Sequence, residues 1–165
     1  MGYSSRKEYD AALLELDTML ARMGHAAGNA IGSALEALRT GNKELVFFIL
    51  SGDTEIDNLE REVEHRCLTL ILRQQPVATD LRKVTTALKM VTDIERIADQ
   101  ASDIAEIVLH LDQNVVKTFD VMADIYRMGD LVLGMVKQAI GAYVQVDMAA
   151  AAEVIARDDQ ADAFF

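Results

Sequence analysis

Acidic residues recur four apart along this chain: Asp53 and Asp57, Glu95 and Asp99, Asp158 and Asp162. On a helix, residues i and i+4 share a face, so each pair aims two carboxylates at one place, where they repel unless a cation lies between them. The chemistry on offer is coordination of a metal ion. The donors are all carboxylates, with no His or Cys on the same ridge, so hard divalent or trivalent ions such as Mg, Mn or Fe suit them better than Zn.

The helices that present these acids decide whether the pattern has force. At about 100° per residue, with Val84 set at zero, Leu88 and Val91 fall near it and Glu95 at about 20°, inside the apolar stripe; Asp99 falls near 60°, at its edge. On the preceding helix Ile56, Leu59, Val63, Cys67 and Leu70 make the core stripe. Asp53, Asp57 and Glu60 form a ridge along one flank of that stripe, at about 60–120° from Val63. If the two helices are antiparallel neighbours, the ridge faces Glu95 and Asp99 across a shared groove. A carboxylate buried or half-buried there must be protonated, paired with a base or bound to a cation, because the bare charge is too costly to desolvate.

Two simpler readings compete. Acid pairs on an acidic helical protein are often only a solvated face, and Asp158/Asp162 fit that as readily as a metal site. Neutralisation within the chain is the other: Arg61 stands one turn from Asp57, Arg96 three residues before Asp99, and Arg82 or Lys83 can reach across. Asp80 lies in or near the first turn of its helix, where the dipole favours an anion. Asp80, Arg82 and Arg96 are therefore candidates for structural or partner contacts.

Apolar spacing and turn residues divide the chain into five helices: about Glu8 to Arg39, Lys43 to Gln74, Pro76 to Leu111, Lys117 to Val146, and Asp147 to the end. Pro76 suits the first position of the third, where its missing N–H has no intrahelical partner. The connections are short and the longer helices run to about thirty residues, which implies antiparallel neighbours. Ala34, Ala37, Leu38, Ile49, Asp53 and Asp57 return as Ala139, Ala142, Tyr143, Val154, Asp158 and Asp162, at one offset of 105 residues (162 − 57). The expected fold is all-α: an antiparallel helical bundle built from a repeated three-helix unit. Residues 1–112 form the first repeat and 113–165 an incomplete second one of two helices, packed as one domain.

The formal charge of −11 excludes a general affinity for nucleic acid or anionic lipid, which needs Lys/Arg patches. No apolar run is long enough to span a bilayer and no secretory signal opens the chain, so the expectation is a cytoplasmic protein without direct membrane insertion. Cys67, the single cysteine, falls in a core stripe and reads as a small buried hydrophobe. His25, His65 and His110 are scattered and read as surface or satisfied residues. The eight methionines include Met122, Met128 and Met135, which read as core filler rather than an adaptable partner surface.

Three segments in order, Asp53-Thr-Glu-Ile-Asp-Asn-Leu-Glu60, Gln74-Gln-Pro-Val-Ala-Thr-Asp-Leu-Arg82 and Leu88-Lys-Met-Val-Thr-Asp-Ile-Glu-Arg-Ile-Ala-Asp99, together with the duplicated unit, resemble the PhoU family of phosphate-uptake regulators over essentially the whole chain. The resemblance implies a cytoplasmic accessory protein of bacterial phosphate homeostasis, with no catalytic activity of its own. It would repress the phosphate-starvation response by coupling a phosphate ABC transporter, through its ATPase, to a sensor histidine kinase, with peripheral association at membrane complexes. It also implies that the Glu/Asp-x-x-x-Asp motifs bind metal, including multinuclear iron clusters in some members, which carries over onto Asp53/Asp57, Glu95/Asp99 and Asp158/Asp162. Family members usually have two full three-helix repeats. This chain is therefore expected to be truncated or to take its missing helix from another molecule, and the open apolar faces of the fourth and fifth helices to drive a homodimer.

Two other functions compete with this one. A di-iron carboxylate enzyme needs an inward-facing Glu-x-x-His on each of two helices, and Glu62-x-x-His65, pointing away from the apolar stripe, is the only example. A metal-free helical interaction module is the other.

Overall fold

The computed structural model describes residues 2–116, 118 and 121–164, with side chains at all of these except 2–5 and 115. It contains α1 (Gly2–Thr40), α2 (Lys43–Gln74), α3 (Ala78–His110), a single turn α4 (Gln113–Val116), α5 (Met122–Gln145) and α6 (Met148–Asp162), and no strand among the described residues. The all-α expectation holds. So do the bounds of α2: Gly41, at φ +69°, ends α1, and the Asn42 side chain accepts hydrogen bonds from the amides of Glu44 at 2.9 Å and Leu45 at 3.4 Å.

The same turn recurs one repeat later. Asp147 caps α6 by accepting from the amides of Ala149 and Ala150, both at 3.0 Å, and Val146, the counterpart of Gly41, takes the left-handed conformation at φ +55°. Elsewhere the boundaries move. α1 starts before Glu8, with Tyr9 buried in the core and Arg6 paired with Asp10 at 3.1 Å and with Asp80 of α3 at 3.4 Å. Pro76 precedes the cap residue Val77 rather than occupying the first helical position. The expected helix start at Lys117 lies outside the described residues, and α5 is helical from Met122.

α1, α2 and α3 pack on one another around a continuous core. Its centre is Leu16, Leu20 and Met23 of α1, Val63 and Cys67 of α2, and Val84 and Val91 of α3, all fully enclosed. Truncating one of the larger of these to Ala costs about 2–5 kcal/mol on general grounds. Burial also pushes the Cys67 thiol up to about 11, with Glu64 adding to it, so it stays protonated and inert. At the other end of the bundle Ala34, Leu35, Leu38, Val46, Ile49, Ala101 and Ala105 form a second cluster, against which Met122, Ile125, Tyr126, Leu133 and Val136 bring in α5.

Two glycines let α5 approach α1 closely. A Cβ on Gly24 would run into the Ile140 side chain, and one on Gly129 into Leu35. Adding 105 converts Gly24 to Gly129 and Leu35 to Ile140. Each repeat thus offers a glycine notch to the other's branched side chain, and the junction has an approximate two-fold symmetry. α6 packs on α5, where Gln138 donates to Glu153 at 2.8 Å and accepts from Arg157 at 3.0 Å.

Candidate metal centre

α2 and α3 run antiparallel, and their acids meet across the seam. Asp53, Asp57 and Asp99 each present a carboxylate oxygen, and the three oxygens lie within 4.8 Å of one another. A hard cation binds oxygens at about 2.0–2.6 Å, so its ligand atoms stand at most about 5 Å apart. The group fits such an ion in spacing and in donor chemistry. One level along the seam stand Glu60 and Glu95. Glu95 is raised above the ordinary glutamate value of 4.5, first by burial, then by Asp99 and Glu60, and less by Asp57. Glu60 is raised first by burial, then by Glu64 and Asp57, while Arg61 opposes.

Five carboxylates therefore share one groove with little positive charge. Arg61 reaches Asp57 at 3.6 Å from a well-exposed position. The other basic residues expected to neutralise the groove are engaged elsewhere: Lys83 pairs with Asp17 of α1 at 2.6 Å, and Arg96 with Asp93 at 3.8 Å rather than with Asp99. Arg82 is exposed and Asp80 ties α3 to Arg6 of α1 at 3.4 Å, so neither belongs to the seam.

The acids lie at the edge of the core, and Glu95 stands outside the apolar stripe in which the helical wheel places it. Asp99 is exposed, Asp53, Asp57, Glu60 and Glu95 are half-buried, and no charged residue is fully buried among those described. The stripe that α3 buries is Val84, Ala87, Val91, Ile94, Ala98, Ala101, Ala105 and Val108. Alternating steps of three and four turn it backward around the helix by about 20° per heptad. By the level of Glu95 the core has moved away from the line drawn through Val84 and Leu88, leaving Glu95 on the flank and Asp99 beyond it.

On α2, by contrast, the steps Val46, Ile49, Asp53, Ile56, Glu60, Val63, Cys67 place Asp53 and Glu60 at positions where the heptad wants an apolar residue. The acid spacing marks Asp53 and Glu60 but not Ser102. Ser102 of α3 donates from Oγ to Asp53 Oδ1 at 3.0 Å and orients that carboxylate. Ser102 stands three residues after Asp99, on the same face of α3.

Asp158 and Asp162 are both exposed on α6 and do not join the Asp53, Asp57 and Asp99 group. His25, His65 and His110 are exposed. Glu62 is exposed and pairs with Arg66 at 3.1 Å, so the single Glu-x-x-His motif faces outward, as a di-iron enzyme's cannot.

Comparison with known proteins agrees with this architecture. The PhoU domain pattern matches residues 20–108 and 125–165. The chain is 38% identical to the phosphate-specific transport system accessory protein PhoU homolog of Clostridium acetobutylicum, over 98% of this chain and 73% of the relative. It is 34% identical to the homolog of Aquifex aeolicus, over 93% of this chain and 68% of that one. Crystal structures of PhoU superpose closely: that from Pseudomonas aeruginosa at a TM-score of 0.87 and 26% identity, covering 94% of this chain and 74% of the other. The regulatory protein from Streptococcus pneumoniae gives 0.85 and 27%, covering 94% and 72%. These relatives are named as accessory or regulatory proteins, not enzymes. By its helices, their repeat and its matches over nearly the whole length, this chain belongs to the PhoU family.

Proposed function

We propose that the chain is an accessory protein of a phosphate-specific transport system, and that a cation held between α2 and α3 sets the form in which it docks. The names of its relatives support the first part. The observation that carries the second is the convergence of Asp53, Asp57, Glu60, Glu95 and Asp99 on one groove, where among the described residues Arg61 is the base that ion-pairs with one of them. Without a cation the two helices are held together against this repulsion. With one, Asp53, Asp57 and Asp99 supply the ligands, Ser102 fixes Asp53, and the α2–α3 surface becomes a single rigid face. The carboxylate donors favour Mg, Mn or Fe.

In this reading the partners are the ATPase of the phosphate transporter and a sensor histidine kinase, whose signalling is repressed when phosphate is plentiful; the working form is a homodimer in the cytoplasm. No helix among the described residues is long and apolar enough to cross a membrane. Calorimetric titration with Mn²⁺ tests the cation: wild type releases binding heat, and Asp57→Asn combined with Glu95→Gln loses it. Identical heats for the two proteins remove the metal and favour a metal-free interaction module. Binding of the purified transporter ATPase, with and without a chelator, tests the docking step, and an affinity that the chelator leaves unchanged defeats it.

A further inference from the structure

We propose that a cavity at the α1–α5 junction binds a small organic anion, a one-ring carboxylate or phosphate ester, independently of the acid seam. The cavity has a volume of ≈ 290 Å³. Gly24, Gly28, Gly141 and Ile140 line it; the Ile140 side chain occupies the place of a Cβ on Gly24, whereas a Cβ on Gly141 would meet nothing within 4 Å. Its rim is polar: His25 and Asn29 from α1, Lys137 and Gln145 from α5.

The approximate two-fold symmetry of the junction shows what the cavity lacks. Adding 105 residues carries Ala21 onto Tyr126, His25 onto Asp130, and Arg39 onto Val144. At the symmetry-related place the three larger or charged residues form a plug: the Arg39 guanidinium lies 5.0 Å from the centre of the Tyr126 ring and 2.8 Å from Asp130, and the Tyr126 hydroxyl donates to the Leu38 carbonyl at 3.4 Å. On the open side Ala21 and Val144 replace the ring and the guanidinium, and space remains between otherwise equivalent helices. The plug itself, a flat ring beside a charged group, outlines the shape of a ligand that would fill the space.

Charge selects its sign. The chain has 27 acidic against 16 basic residues, yet no acidic residue lines this cavity. Lys137 makes no ion pair among the described residues, and it and His25 are the charged or titratable groups on the rim. A carboxylate or phosphate on Lys137 would gain a charge-assisted hydrogen bond. The amides of Asn29 and Gln145 would take the polar edge of the ring, and Ala21, Ile140 and Val144 its apolar face. The volume of ≈ 290 Å³ falls just below the range of about 300–1,000 Å³ for small-molecule sites, which admits one ring and excludes a dinucleotide.

Phenyl phosphate is the probe. In amide-resolved NMR titrations of the 165-residue chain it is expected to shift Gly24, Gly28 and Gly141. Inorganic phosphate and phenol, each carrying half of its chemistry, are expected to do so at least tenfold more weakly. Lys137→Glu should weaken phenyl phosphate at least tenfold, and Ala21→Tyr with Val144→Arg, which rebuilds the plug, should abolish it. Both variants should keep the wild-type Mn²⁺ titration, which separates this site from the seam. Shifts scattered away from the three glycines, equal affinity in Lys137→Glu, or an equal response to inorganic phosphate overturns the proposal.

Discussion

Glu60 and Glu95 are the residues at which the seam's electrostatics become measurable. Both have folded-state values raised above 4.5, so between that ordinary value and the raised one the folded chain binds more protons than the unfolded chain. Stability then falls as pH rises through this window, and protonation on acidification relieves the repulsion. In metal-free protein the denaturation midpoint is expected to rise as pH is lowered from neutral towards 4.5, and Glu60→Gln with Glu95→Gln should flatten that slope. Chemical denaturation at several pH values measures it; a slope unchanged by the double substitution contradicts the assignment. A bound cation reverses the trend, since protons compete with it for the carboxylates. The i, i+4 spacing marks Asp53, Asp57, Glu95 and Asp99 as candidates in the sequence, and the structure brings Asp53, Asp57 and Asp99 together. The spacing could not tell that Asp99 lies open to solvent, because the buried stripe of α3 drifts with each heptad and a single helical wheel drawn through Leu88 does not follow it.

Among the elements, the turns were the most legible. Gly41 and Asn42 fix the end of α1 and the start of α2, because a left-handed residue and a side-chain cap are local requirements that the residue types reveal. The start of α1 was less so: it lies well before the apolar series that marks the helix, and a tie near it is Arg6 to Asp80, seventy-odd residues away. The internal repeat exposes a flaw in the second turn. Val146 occupies the left-handed position that its counterpart Gly41 fills without strain, and a β-branched residue is poorly suited to it. It is 74% exposed, so little packing is lost by removing its side chain. Val146→Gly is expected to stabilise the chain by about 1 kcal/mol, strain relief of about 1–3 kcal/mol being partly offset by the greater freedom of unfolded glycine. Thermal melting should show a rise of about 2–4 °C; a fall means that the conformation at 146 is not strained.

At the scale of the whole molecule, the duplicated unit was visible in the sequence as the 105-residue offset, whereas the glycine notches that lock the two copies together were not. Gly24 and Gly129 have meaning only against Ile140 and Leu35, and nothing local in the sequence pairs them. The assembly also leaves apolar surface at the α5–α6 end: Val144, Met148 and Ile155 are exposed and α6 buries no residue. Such a surface favours association, and sedimentation equilibrium at micromolar concentrations is expected to give a mass near twice the 18.2 kDa of one chain. A mass of one chain at every concentration rules the dimer out. What unites the acids, the helices and the family is the claim that the seam between α2 and α3 holds a hard cation. Anomalous scattering from Mn²⁺-soaked crystals tests it most directly: the account predicts a peak within about 2.0–2.6 Å of carboxylate oxygens of Asp53, Asp57 and Asp99. A fully occupied Mn²⁺ elsewhere, with none between these three residues, would contradict it.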